Sequence, residues 1–173
     1  SKTIEQRLKR EGMNTYLVSP VSSKLELPNP RHFQNDFSSS SMYDVMLCCN
    51  PDVVIFAKGF DPAHDWDKKV NENEKYLSYV SDLSNVARYA KKAKVSRFIY
   101  LSSDSVFVED AGLNLTEAIE PNAEEEDGTG FGMGEAISMG MSHFSNMQMI
   151  SLRIDELYCV PQKSRECKDL VTK

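Results

Sequence analysis

At 173 residues the chain is long enough for one domain with a sizeable core. Its 40% hydrophobic and 27% charged residues are those of an ordinary globular protein. A formal charge of -6 and a pI ≈ 5.1 argue against non-specific nucleic-acid binding, which rests on clustered lysine and arginine. No apolar run approaches the ~20 residues needed to cross a bilayer, so no membrane partner is expected.

Ser1 to Glu11 reads as a helix rather than a signal peptide: Ile4 and Leu8 lie four apart, charges cover the other faces, and Gly12 ends it. Thr15 to Val18 reads as a short strand, followed by a polar loop from Ser19-Pro20 through Pro28 and Pro30. His32 to Asp36 leads into Phe37 and the serines Ser38 to Ser41, which can cap the helix marked by Met42, Val45, Met46 and Cys49. Asp36 before that helix suits a capping role too. The apolar run Val53 to Phe56 predicts a fully buried strand, and small residues follow it at Ala57 and Gly59, with Lys58 between them.

Asp61 to Asp67 is a polar loop holding His64 and Trp66. A long helix is predicted over Val70 to Ala93. Tyr76, Val80, Leu83, Ala87 and Ala90 form its apolar stripe, and Lys91, Lys92 and Lys94 suit the dipole at its end. Phe98 to Leu101 reads as a strand buried on both faces of a parallel sheet. It ends in Ser102-Ser103-Asp104-Ser105. Ligands of open α/β sheets sit beyond the carboxyl ends of the strands, so this hydroxyl cluster is either a binding site or a cap for the next turn.

The acidic stretch Glu117, Glu120, Glu124, Glu125, Glu126 and Asp127 reads as solvated surface. Gly128 to Gly134 does not satisfy G-x-G-x-x-G and reads as a flexible lead into a helix over Phe131 to Phe144. Met149 to Tyr158 is the last strand and its exit. The four cysteines, Cys48, Cys49, Cys159 and Cys167, form no C-x-x-C pair, and His32, His64 and His143 make no zinc pattern. No metal is expected. Reduced thiols in a cytoplasmic protein are the default expectation.

These stretches together resemble the extended short-chain dehydrogenase/reductase family, the NAD-dependent epimerases and dehydratases of nucleotide sugars. The resemblance rests on P-D-V-V-I-F-A-K-G at 51–59, on L-S-S-D-S-V-F at 101–107, on Asp36-Phe37, and on L-R-I-D-E-L-Y at 152–158 with Arg153 in register. It implies a Rossmann-like, doubly wound α/β fold with a mostly parallel sheet and helices on both faces. One domain over 1–173 is expected, without the first strand, its Gly-rich turn and most of the C-terminal substrate lobe.

For the cofactor, the resemblance implies NAD or NADP, with Asp36 and Phe37 on the adenine side and Ala57, Gly59 and Ser102 along the cradle. Neither dinucleotide is favoured, because Ser19-Pro20 stands where an acid would hold the ribose. For the chemistry it implies Ser103 as the remnant of a Ser-Tyr-Lys trio and Asp104 where dehydratases carry an acid. Phe131 and Glu135 stand at the Tyr and Lys positions. A phenol tuned by a neighbouring ammonium is the general acid/base of that chemistry. No tyrosine in the chain has a lysine four residues on.

The expectation is therefore a degenerate domain acting as a binding or structural module for a nucleotide or nucleotide-sugar ligand. Two alternatives stay open. One is an active nucleotide-sugar enzyme completed by other residues or a partner; the other is an NAD(P)-sensing regulator. The resemblance also implies a homodimer through the long helix and the helix carrying Phe131.

Overall fold

The computed structural model describes residues 2–20, 30–58, 72–107, 120–123 and 126–154. In chain order these form α1 (Lys2–Arg10), β1 (Leu17–Ser19), β2 (His32–Gln34), α2 (Ser41–Cys49), β3 (Val53–Phe56), α3 (Glu72–Lys92), β4 (Arg97–Ser103), a 3-10 turn (Asp104–Val106), α4 (Glu126–His143) and β5 (Gln148–Ile154).

Every strand pairing is parallel. β1 pairs with β2, with Val18 opposite Phe33. β3, β4 and β5 form a second sheet in that order. The registers Ile55↔Ile99 and Ile99↔Ile150 run across all three strands. The single sheet expected from sequence is thus two sheets here. Among the described residues no strand lies between β1 and β3. In the 3-2-1-4-5-6 order that place belongs to the first strand, which joins the halves.

One core nevertheless serves both sheets. Val18 of β1 and Phe37 after β2 pack against the cluster built by Phe56, Leu83, Phe98 and Tyr100. Phe56 is its hub: the rings of Phe37, Tyr79, Phe98 and Tyr100 lie 6.1 to 6.4 Å from it, centre to centre. Such tilted contacts suit the quadrupoles of aromatic rings.

Several sequence expectations shift. β4 alternates, with Phe98, Tyr100 and Ser102 buried and Ile99 and Leu101 between them half-buried, so its two faces are not equally covered. In β3 only Phe56 is buried, and Val53 is 41% exposed. Among the described residues β3 is paired on one side only, which leaves its start open. The buried stripe of α3 is centred on Tyr79, Leu83, Val86, Ala87 and Ala90, while Tyr76 and Val80 are half-buried at its flank. The α3 lysines do more than meet a dipole: Lys91 Nζ donates to the Phe144 carbonyl at 2.6 Å.

α2 is not capped by the hydroxyl of its N-cap residue, since Ser40 makes no side-chain cap bond. Ser39 Oγ instead accepts the Ser41 N–H at 3.3 Å. The largest correction is at α4, which begins at Glu126, so Gly128 to Gly134 is helix and not a flexible lead. The glycines are needed for proximity. A Cβ on Gly128 would stand 1.9 Å from the Ser105 carbonyl oxygen, and one on Gly134 would stand 2.2 Å from Tyr100 Oη. The helix therefore lies closer to β4 than side chains would allow. Gly59, the 61–67 loop, Glu117, Glu124 and Glu125 of the acidic stretch, and everything after Ile154 lie outside the described residues.

Candidate functional site

β4 and β5 end together, and α4 crosses behind them. The register sets Ser102 opposite Arg153, and paired residues of neighbouring strands point to the same face. That face is the one α4 covers. Glu135, on the inner side of α4 and only 9% exposed, meets both. Ser102 Oγ donates to Glu135 Oε1 at 2.7 Å. Arg153 donates from Nε to Oε1 at 2.9 Å and from Nη2 to Oε2 at 2.8 Å. This is the bidentate fork that matches guanidinium to carboxylate. The bonds to Glu135 hold the Arg153 pKa above its ordinary value against a smaller opposing effect of burial, and the Glu135 charge adds to the rise. The guanidinium also lies over the Phe107 ring, 4.8 Å from its centre.

One turn earlier on α4, Phe131 packs on the core, edge-on to Tyr79 with ring centres 6.3 Å apart. Its carbonyl accepts the Tyr100 hydroxyl at 3.2 Å, and Tyr100 and Tyr79 share a 2.7 Å hydrogen bond. A carbonyl only accepts, so Tyr100 spends its proton there and Tyr79 donates to Tyr100. Burial pushes the Tyr79 phenol up to about 12. It pushes Tyr100 higher still, helped by Tyr79 and by the Glu135 charge. The two phenols beside Phe131 are thus held protonated, the opposite of what a proton-abstracting phenolate needs.

Ser103 points away from this cluster, as the residue after Ser102 on a strand must. Its Oγ accepts the Ser105 N–H at 3.2 Å and donates to Asp104 Oδ1 at 3.1 Å. Of the two readings of the serine cluster, Ser103 follows the cap and Ser102 faces α4. The structure therefore brings Glu135 to Ser102 and makes no Ser103–Glu135 hydrogen bond.

On the opposite flank, Asp36 is exposed and its Oδ1 accepts the Ser38 N–H at 2.9 Å and the Ser38 hydroxyl at 2.7 Å. Those bonds lower its pKa, the side-chain one most, while burial opposes slightly. Phe37 is half-buried against Phe56, and Ala57 is exposed at the end of β3. Lys58, between the small residues after β3, makes an ion pair with Asp82 of α3. Sequence reasoning gave no role to Arg153, Tyr79 or Tyr100. The L-R-I-D-E-L-Y stretch marks Arg153, but only the register of β4 on β5 shows that it meets Glu135. No group of three or more metal-ligating side chains occurs among the described residues. No helix among them is long and apolar enough to cross a membrane.

The residues fit a dinucleotide unevenly. Asp36, Phe37 and Ala57, which the resemblance places beside the cofactor, offer a carboxylate, an aromatic ring and a small exposed residue. Glu135, where the resemblance implies a lysine, is already engaged by two donors, and the described residues include no Gly-rich phosphate turn after a strand.

Parallel strands joined by helices that cover the sheet define a Rossmann-type α/β fold. No protein-family model matches the chain, and no curated protein does. Solved structures do. A short-chain dehydrogenase/reductase superfamily protein from Agrobacterium tumefaciens with bound NAD matches 88% of this chain and 44% of its own, at 17% identity and TM-score 0.69. The Bordetella bronchiseptica enzyme WbmG, in complex with NAD and UDP, matches 86% of this chain and 47% of its own, at 17% identity and TM-score 0.66. UDP-glucose 4-epimerase from Thermotoga maritima with UDP-glucose matches 87% and 50%, at 16% identity and TM-score 0.69. The chain thus has the fold of short-chain dehydrogenase/reductases of the epimerase/dehydratase kind, and spans about half the length of these structures.

Proposed function

We propose that this chain is an epimerase/dehydratase-type Rossmann domain that does not carry out hydride chemistry and serves as a binding or structural module. The observation that carries this is Glu135. Where the resemblance implies an ammonium beside the cofactor ribose, a carboxylate stands, bound by Arg153 and Ser102. Phe131, at the phenol position, has no proton to exchange. Loss of a general acid/base costs ~10²- to 10⁴-fold in rate, and here the group that would tune it is replaced as well.

The ligand class we assign is a nucleotide or nucleotide-sugar, with NAD or NADP as the dinucleotide. Asp36 and Phe37 would lie on the adenine side, and Ala57 and Gly59 along the cradle. Ser102 stays with Glu135, and Ser103 and Asp104 shape the turn. The UDP, UDP-glucose and NAD held by the structural neighbours support that class. A homodimer through α3 and α4 accords with the exposed Leu77 and Met133. A cytoplasmic setting accords with the free Cys48 and Cys49.

The test mixes the protein with NAD⁺ or NADP⁺ and UDP-glucose and follows nicotinamide reduction and sugar products. Neither should form. A thermal shift with each nucleotide alone reports binding separately. Turnover above the uncatalysed rate would overturn the reading, and a shift without turnover would support the binding role. Light scattering reads the dimer.

A further inference from the structure

Past the Glu135–Arg153 pair, α4 and β5 run on together and enclose an open recess of about 210 Å³, lined by Ser138, Met139, Ser142, Met149 and Ser151. It exceeds the roughly 15 Å³ that one water needs. The lining follows from two periodicities. Ser138 and Ser142 are four apart on one helix face, and Met149 and Ser151 are two apart on one strand face. The recess lies outside the cluster described above, and none of its five residues is charged.

Ser138 is the unusual member. It is 2% exposed, and its hydroxyl has no hydrogen-bond partner among the described residues. Nearly all buried polar groups are satisfied, and an exception in a native fold calls for an explanation. Ser142 donates to the Met139 carbonyl at 2.7 Å and so keeps its lone pairs for accepting. Ser138 can both donate and accept. Met139, 65% exposed, stands at the mouth, and Met149 supplies an adaptable apolar wall.

We propose that this recess binds a small neutral alcohol, a diol-like group with a methyl or methylene beside it. Ser138 is its buried hydrogen-bond anchor, Ser142 and Ser151 are its outer partners, and the two thioethers meet its apolar edge. An ion is disfavoured because no charged side chain lines the recess to offset its desolvation. The site is separate from the strand ends, and its occupancy does not require a dinucleotide.

The probe is 1,2-propanediol, titrated into the whole chain while backbone amide signals are followed by NMR. Saturable shifts confined to residues 138–142 and 149–151 are expected, with affinity in the millimolar range of about 1–10 mM typical of so small a ligand. Ser138→Ala should weaken that affinity by about fivefold or more, the factor carried by one ordinary hydroxyl contact. Alanine suits a helix better than serine, so this variant should fold. If it does not, Ser151→Ala on the exposed strand gives the same reading. Shifts that grow linearly without saturation, or that are unchanged in the serine variant, would overturn the proposal. So would equal shifts at the same amides with sodium phosphate, which would mark an anion site instead.

Discussion

Glu135 holds donors from two neighbouring strands, and each is committed to it in a part-buried place. Removing the carboxylate takes from Arg153 its bidentate acceptor and from Ser102 the acceptor of its hydroxyl. Breaking one side of a buried pair costs more than the pair contributes, because the survivor stays desolvated. Glu135→Ala should therefore lower unfolding stability by about 2–3 kcal/mol in a denaturant titration, somewhat below the fully buried case because Arg153 is partly exposed. Glu135→Lys with Phe131→Tyr would rebuild the Tyr–Lys spacing. It sets an ammonium against the guanidinium, so the expected result is lower stability and no hydride transfer. The nearby phenols make a second residue-scale prediction. The folded-state pKa of Tyr79 is raised to about 12 from an ordinary value of about 10. Its protonated form is thus favoured by folding. That contribution is whole below pH ~10 and is lost as pH rises towards ~12, where the unfolded chain ionises first. A melting-temperature series should fall steeply across this window, and Tyr79→Phe should flatten the fall.

At the scale of elements, the glycines of α4 separate two effects that usually travel together. Alanine is a better helix former than glycine by up to ~1 kcal/mol. At Gly140 nothing lies within 4 Å of an added Cβ, and at Gly132 only Pro121 is near, at 3.6 Å. Alanine at either position should be neutral or stabilising. At Gly128 the Cβ meets backbone, and at Gly134 it meets the fully buried Tyr100 ring. Overpacking of about 1–3 kcal/mol should outweigh propensity there. Chemical denaturation of the four variants checks this: equal gains at all four sites would mean α4 does not sit as close to β4 as described. The same glycines show why this segment misleads a reader of sequence. Alternate glycines carry no helical periodicity, and their purpose appears only against a strand and a turn more than twenty residues earlier. β4 and α3 were legible because their patterns are local: a run of β-favouring residues, and apolar positions three and four apart. The Glu135–Arg153 contact was not, because it depends on which residue of β5 stands beside Ser102.

Over the whole molecule, the two sheets differ in what holds them. The three-stranded sheet pairs seven residues between β4 and β5 and carries the rings around Phe56. The other pairs three residues, and Val18 is its one strand residue against the core cluster. A two-stranded sheet is marginal without packing on one face, so the pair should open at lower free energy than the rest. The resemblance implied one sheet, and how β1 and β2 stay attached to the rest could not be read from it. The attachment is through side chains, Phe37 on Phe56 and Val18 on the core, while Ser19 Oγ, 2.7 Å from His32 Nε2, ties β1 to β2. Native-state hydrogen exchange should find the amides of Phe98, Tyr100 and Ser102 protected to nearly the global unfolding free energy. Those of Val18 and Phe33 should exchange by a smaller, separate opening. Phe37→Ala should speed exchange in β1 and β2 and change β4 much less. If one common rate covered all five strands, the two sheets would be a single cooperative unit, and the side-chain attachment would be as strong as the ladder of hydrogen bonds it replaces.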